Sequence, residues 1–352
     1  MRRYTILLLT AFMLILSATA GSAILAGADQ SNKNLPYKQL TIYTTLPPEH
    51  AAILAEAYED SNHVRLNFVP LAPHELMQRL KDDSVSDPTV ITTSDIVLAD
   101  KSVLNEAASL NLLKPYLSET NDAVKPVFKE ENGAWTGVWY DPIIFCINKD
   151  YLNNIRINIP NTWQELANYK DVRIGITDFL AAEASANLMF QMISQFGDVN
   201  TYKVLSQLHP KVVQYAKYLS NPVRQAGMGE VDISIAVESE TLRYMQNGYP
   251  LKIIYPVDGT AYLLTGVGIS TVDNSKLKEA EVFADWLLSD DVQRVLQTNG
   301  FYFLSTNPQT LAHKKFAGKD LVLFTNIQHF TPEQKYEFLD RWVKQVRFGG
   351  VQ

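Results

Sequence analysis

Five polar residues stand at the carboxyl ends of predicted strands. Thr44 and Thr45 close the β-rich run that begins at Leu40, Asp100 follows Asp95–Ala99, and Glu238 and Ser239 follow Ile233–Val237. Open α/β sheets bind ligands beyond the carboxyl ends of their strands, so these residues are candidates for solute contacts. Hydroxyls and carboxylates in a cleft suit polyhydroxylated or cationic groups. The sequence leaves a second role open for two of them. Asp100 suits the N-cap of the helix that follows, and Glu238, with Glu240, suits a helix start, where the helix dipole favours acids.

Other chemistry has little support. His50, beside Glu49, is the histidine nearest a strand end, but adjacent helical residues point apart. No H-x-x-x-H or Cys/His cluster accompanies it, so neither a metal nor a cofactor is expected. The chain has no G-x-S-x-G, no G-x-x-x-x-G-K-[ST] and no complete G-x-G-x-x-G; Gly266-Val267-Gly268 only echoes the last. An enzyme is not expected.

The 352 residues allow two lobes. With 46% hydrophobic and 20% charged residues, the chain is an ordinary globular protein with material for sizeable cores. A formal net charge of −7 with no basic cluster argues against nucleic acid as a partner. The lone cysteine, Cys146, sits in the apolar run Ile143–Ile147 and reads as a core residue. At the amino terminus, Arg2 and Arg3 precede an apolar stretch from Ile6 to Leu16 and then Ala18-Thr19-Ala20, the pattern of a secretory signal peptide. Weakly apolar residues continue to Ala28, so a retained anchor approaching the ~20 residues of a membrane span stays open. Either way, the chain from Asp29 onward is expected outside the cytoplasm.

Strands and helices alternate after a polar tether, Asp29–Lys38. Leu40–Thr45, Val64–Phe68 and Asp95–Ala99 read as strands, separated by helices opening at Pro47-Pro48 and Pro73. A second series holds the strands Ile143–Ile147, Val172–Ile176, Ile233–Val237 and Leu251–Tyr255. Thr162 and Glu165 form a T-x-x-E capping box, Ala182–Phe196 is helical, and Asp290 with Gln293 caps a late helix. Thr331–Val346 is a final helix with Tyr336, Phe338, Leu339 and Trp342 on its apolar face. The fold class is α/β, with mixed, mostly parallel sheets flanked by helices.

In this order and spacing, Leu40–Pro48, Glu75–Leu80, Asp95–Ala99, Trp135–Gly137, Asn161–Leu166, Arg224–Ile235, Ile254–Thr260 and Phe283–Ser289 resemble the extracytoplasmic solute-binding proteins of ABC importers, in the group for ferric iron, phosphonates and organic phosphates. The resemblance implies a two-lobed periplasmic-binding-protein fold, joined by crossing hinge strands that close on a ligand. It implies residues 39–147 plus 259–306 as lobe one, 148–258 as lobe two, and 307–352 as carboxyl-terminal helices on lobe two. The implied partners are a small solute and an importer permease or, alternatively, a membrane sensor kinase; the protein is expected to be a monomer.

Against that family the sequence departs at the ligand positions. Where iron-binding members carry adjacent tyrosines, it has Glu238-Ser239-Glu240. Where phosphate-binding members carry a hydroxyl-rich turn, it has Ala181-Ala182-Glu183-Ala184. Tyr140, Asp141, Glu183 and Tyr262 thereby join Thr44, Thr45, Asp100, Glu238 and Ser239 as ligand candidates. The ligand expected is a cationic or polyhydroxylated organic solute, with ferric iron and organic phosphate or phosphonate as alternatives. For Asp141 a turn before Pro142, for Glu183 a helix start, and for the two tyrosines hinge packing stay open.

Overall fold

The structure, a computed structural model, describes residues 38–85, 93–154, 158–181, 183–272, 275–316 and 321–349. The signal peptide or anchor and the tether as far as residue 37 lie outside these. Lys38, placed above in the tether, instead opens strand β1 (Lys38–Thr44) and pairs with Glu279.

Ten further strands join β1: β2 (Val64–Pro70), β3 (Ile96–Asp100), β4 (Leu113–Lys114), β5 (Thr136–Asn148), β6 (Ile174–Thr177), β7 (Val212–Ala216), β8 (Ile233–Val237), β9 (Leu251–Ile254), β10 (Tyr262–Ser270) and β11 (Leu304–Ser305). Their order is β2-β1-β3-β10-β5-β8-β6-β7. β1 runs parallel to β2 and β3, and β6 runs parallel to β7 and β8. Helices connect these parallel neighbours, as parallel pairing requires. β10 and β5, antiparallel to each other, join the two halves.

β5 carries the fold from one lobe to the other. All thirteen of its residues are buried, so it reads as an almost continuous apolar run and not as an alternating one. Only Ile143–Ile147 is recognisable as strand from the sequence; the element starts seven residues earlier, at Thr136. Asp141-Pro142 is therefore mid-strand and sets no turn. Pro142 sits at a change of partner: pairing with β10 ends at Pro142↔Tyr262 and pairing with β8 begins at Ile143↔Val237. A residue without an N–H is tolerated where one ladder gives way to the next. Two bonds tie the crossing: Ile143 N–H donates to Ala261 at 2.8 Å, and the Thr260 hydroxyl donates to the Ile143 carbonyl at 2.6 Å.

β10 was not visible in the sequence because its glycines hide it. Gly266 lies where a Cβ would stand 2.9 Å from the Thr136 carbonyl and 2.8 Å from Leu104. Gly266-Val267-Gly268 thus serves close strand and helix packing and is no part of a nucleotide loop.

The first core gathers β1, β2, β3, the start of β5 and β10 under helices Pro48–Asn62, Pro73–Ser84, Lys101–Ser109 and Leu277–Trp286. The second gathers the end of β5, β6 and β8 with helices Trp163–Asn168, Glu183–Phe196 and Asp198–Leu208. The carboxyl-terminal segment packs on the second core through Trp342 and Val346, both buried, with Phe338 and Leu339 partly so. Tyr336, assigned above to the apolar face, is exposed. The helix proper is Pro332–Arg341, capped by Thr331 and Gln334 reciprocally, and continues as a π-helix over Trp342–Arg347.

Two caps differ from expectation. Ser289, not Asp290, accepts the Val292 N–H at the helix Asp290–Thr298, and Gln293 is buried. Thr162 accepts from Glu165 N–H, but the Glu165 carboxylate turns to the N–H of Asn161. Cys146 is fully buried, and burial pushes its thiol up to about 11, so it stays protonated.

Trp342 fills the second core from outside the strand framework. Trp342→Ala should lower stability by about 3–5 kcal/mol in urea unfolding, with a loss below about 1 kcal/mol excluding the tail from that core.

Candidate functional site

The strand-end candidates fall into two groups. In the first lobe, Thr44 is buried and spends its hydroxyl locally, donating to the Leu98 carbonyl at 2.7 Å and accepting from Leu46 N–H at 3.0 Å. Thr45 accepts the Asp100 N–H at 3.2 Å. Thr44, Thr45 and Asp100 therefore clamp the ends of β1 and β3 together. Asp100 precedes helix Lys101–Ser109, but its side chain makes no capping hydrogen bond.

The second group stands at the crossing of β5, β8 and β10. Asp141 is buried and accepts two hydrogen bonds from Ser239, from its N–H at 2.9 Å and from its hydroxyl. Burial pushes the Asp141 carboxyl up to about 7, with Glu238 and Glu240 adding to the shift and Ser239 opposing it. Glu238 is fully buried and accepts from the Tyr255 hydroxyl. Tyr140 stacks on Phe128, with centroids 4.9 Å apart, and meets Tyr262 edge-on at 6.2 Å. The structure thus brings Tyr140, Asp141, Glu238, Ser239 and Tyr262 together, chiefly as a packed, hydrogen-bonded joint. The Glu183 side chain lies outside the described residues.

On lobe one near this joint, the His50 ring lies 3.9 Å from that of Phe301 and 5.8 Å from that of Phe303. Burial holds His50 below its ordinary value, while Glu49 and Glu240 pull it the other way. Among the described residues, no group of three or more His, Cys, Asp or Glu could hold a metal ion.

A separate cavity is formed by a different surface. About 900 Å³ opens between helix Lys101–Ser109 of lobe one and helix Glu183–Phe196 of lobe two, floored by Tyr262–Leu264 of β10 and walled by Ile327–Pro332 and Lys335. Of the eight predicted residues whose side chains are described, Asp100 and Tyr262 reach it. Gln191 fixes the floor: its amide donates to the Tyr262 carbonyl at 2.7 Å and accepts the Tyr262 N–H at 3.1 Å. Asn105, Asn187 and Ser102 add polar lining.

A family model described as bacterial extracellular solute-binding protein matches residues 92–317, more than half of the chain. The chain belongs to that family. A relative from Haemophilus influenzae (strain ATCC 51907 / DSM 11121 / KW20 / Rd), described as an uncharacterized protein, is 27% identical over 256 residues, 69% of this chain and 72% of the relative. Among solved structures, the periplasmic binding protein AfuA from Actinobacillus pleuropneumoniae, with exogenous fructose-6-phosphate bound, is similar at a TM-score of 0.69 and 21% identity, covering 89% of this chain and 99% of AfuA. Iron-bound HitA from Pseudomonas aeruginosa follows at 0.66 and 17%, covering 86% and 97%. The substrate-binding protein of the ABC transporter from Agrobacterium tumefaciens gives 0.68 and 14%, covering 90% and 96%. The two-lobed periplasmic-binding-protein fold and the resemblance drawn from the sequence are borne out.

Most of the cavity's lining was not singled out from the sequence. Lys101 was one position beyond a strand end already singled out, and so within reach of the strand-end rule. Asn187 and Gln191 sit a turn or more inside a helix, and His329 and Lys335 come from the distant carboxyl terminus, where no sequence signal points to a cleft.

The raised Asp141 value has a checkable consequence. The folded state holds this proton up to about 7 and the unfolded chain only to 3.8. The Asp141 contribution to stability is therefore complete below the unfolded value and falls as pH rises towards 7, by on the order of 4 kcal/mol at most. Asp141→Asn should flatten that part of the stability–pH curve measured by urea unfolding between pH 4 and 8. An unchanged slope would contradict the assignment.

Proposed function

We propose that the protein captures a small polyhydroxylated solute between its lobes outside the cytoplasm and delivers it to an ABC importer. The observation that carries the reading is the inter-lobe cavity, whose walls come from both lobes and whose floor is a crossing strand. Its volume lies within the range of about 300–1,000 Å³ usual for small-molecule sites. Amides and hydroxyls on facing helices suit the hydroxyl groups of a sugar-like ligand. The cationic ligand class draws less support, because the Asp141 and Glu238 carboxylates already accept hydrogen bonds within the joint.

In this proposal lobe one is 39–147 plus 259–306 and lobe two 148–258, hinged where Pro142 faces Tyr262, and closure brings helix Lys101–Ser109 towards helix Glu183–Phe196. A signal peptide at residues 1–28 exports the chain, with no cofactor and no catalysis. The similarity to AfuA, solved with a sugar phosphate, is compatible with a sugar-like ligand.

Deleting the gene should abolish high-affinity uptake of the solute that stabilises the purified protein in a thermal-shift screen. Unchanged uptake together with a lost transcriptional response to that solute would replace the importer with a sensor kinase as partner.

A further inference from the structure

Strands β5 and β10 are not the only link between the lobes. Helix Leu311–Phe316 is bonded to lobe one: the Leu311 N–H donates to the Asp290 carboxylate at 2.7 Å, and His313 Nδ1 lies 2.9 Å from the Ser305 carbonyl. Further on, Trp342 and Val346 are buried in the second core. Between these two anchorages the chain passes over the crossing itself. Thr260 N–H donates to the Val322 carbonyl at 2.9 Å, and Phe324 N–H donates to the Thr260 carbonyl at 2.8 Å, forming a parallel bridge centred on Leu323. The Thr260 hydroxyl already reaches the Ile143 carbonyl of β5, so three segments meet at one point. Gly259 makes room for the third. Its φ is +96°, and a Cβ there would stand 3.0 Å from the Phe324 ring.

From that clasp the segment divides its side chains between the two cores. Leu321, Leu323 and Ile327 pack against the first, whereas Phe324 is buried in the second and meets Phe196 edge-on at 5.2 Å. Polar bonds then add to the hold on lobe two. The Asn326 amide donates to the Ser194 carbonyl at 2.9 Å, and Gln328 N–H donates to the Ser194 hydroxyl at 3.1 Å. Phe330 packs against Phe338 at 5.0 Å and Phe190 at 6.4 Å. The grip on lobe two is therefore apolar and hydrogen-bonded, and the grip on the first core rests on three partly buried aliphatic side chains. Of these, Ile327 stands farthest from the clasp in sequence and also lines the cavity.

From this arrangement, and resting on the capture reading above, we infer that Leu321–Phe330 is a strap that holds the ligand-free lobes apart. When the lobes turn about β5 and β10, the strap stays with lobe two, and the Ile327 contact on the first core is the one that slips. That contact is made at a spacing that leaves about 900 Å³ between helices Lys101–Ser109 and Glu183–Phe196. A contact made in one arrangement and lost in another shifts the population towards the first. The strap thus keeps the empty protein open. Solute affinity is then set in part by aliphatic residues of the strap, because the closed form must be drawn from a smaller population.

Single-molecule energy transfer between dyes on Glu56→Cys and Lys203→Cys, exposed positions on lobes one and two, reads the spacing with no solute present. Ile327→Ala should shift the ligand-free distribution to higher transfer, a shorter distance. Tyr336→Ala, exposed on the same tail, should leave it in place. Thermal unfolding confirms that each variant is folded, and Leu323→Ala carries the same test should Ile327→Ala unfold. Unchanged or lower transfer would overturn the strap and leave capture standing, since no solute enters the measurement. Uptake unaffected by gene deletion would instead strike at capture itself.

Discussion

The crossing of β5 and β10 is the constraint on which the rest of the molecule depends. Two strands pass between the lobes side by side, and at the point of passage Pro142 has no N–H to give. The pairing is taken over there by Ile143 N–H to Ala261 and by the Thr260 hydroxyl to the Ile143 carbonyl. Each lobe builds its own core outward from that pair of strands, so the crossing fixes where the lobes face one another. It also explains why Asp141 beside it is inwardly satisfied, while the buried Tyr262 hydroxyl there has no hydrogen-bond partner among the described residues. A buried carboxylate such as Asp141 at a joint must be hydrogen-bonded or protonated, and here Ser239 supplies the bonds while burial raises the proton affinity.

From the same constraint follows the division between joint and cavity. Tyr140, Asp141, Glu238, Ser239 and Tyr262 hold the strands, the lobe-two helix start and the aromatic packing together. The cavity lies beside them, where Gln191 locks the β10 floor to one lobe and Lys101 lines it from the other. The carboxyl-terminal segment completes the wall because Trp342 anchors it in the second core and Ser194 pins its approach. The same segment thus packs on the second core and lines the cavity.

Much of this was legible beforehand in physical terms. β1, β3 and β8 announced themselves because β-branched, apolar runs end in polar residues, and the Thr162 cap and Pro48 helix start are local signals. The family followed from the order of such segments. β10 escaped because glycines chosen for close packing look like loop residues, and the first half of β5 escaped because Asp141-Pro142 resembles a turn. At the site, the strand-end rule found the joint and stopped one residue short of Lys101. His329 and Lys335 could not have been found, since only tertiary packing brings residues more than two hundred positions apart to one cavity.

The central claim, that the lobes close on a solute, is most directly tested by a distance between them. Spin labels on Glu56→Cys and Lys203→Cys, both exposed and on opposite lobes, can be read by pulsed electron resonance while fully buried Cys146 stays unlabelled. Saturating solute should move the distance distribution to a shorter, narrower one. A distribution unchanged at saturation, with binding verified in the same sample, would contradict capture by closure.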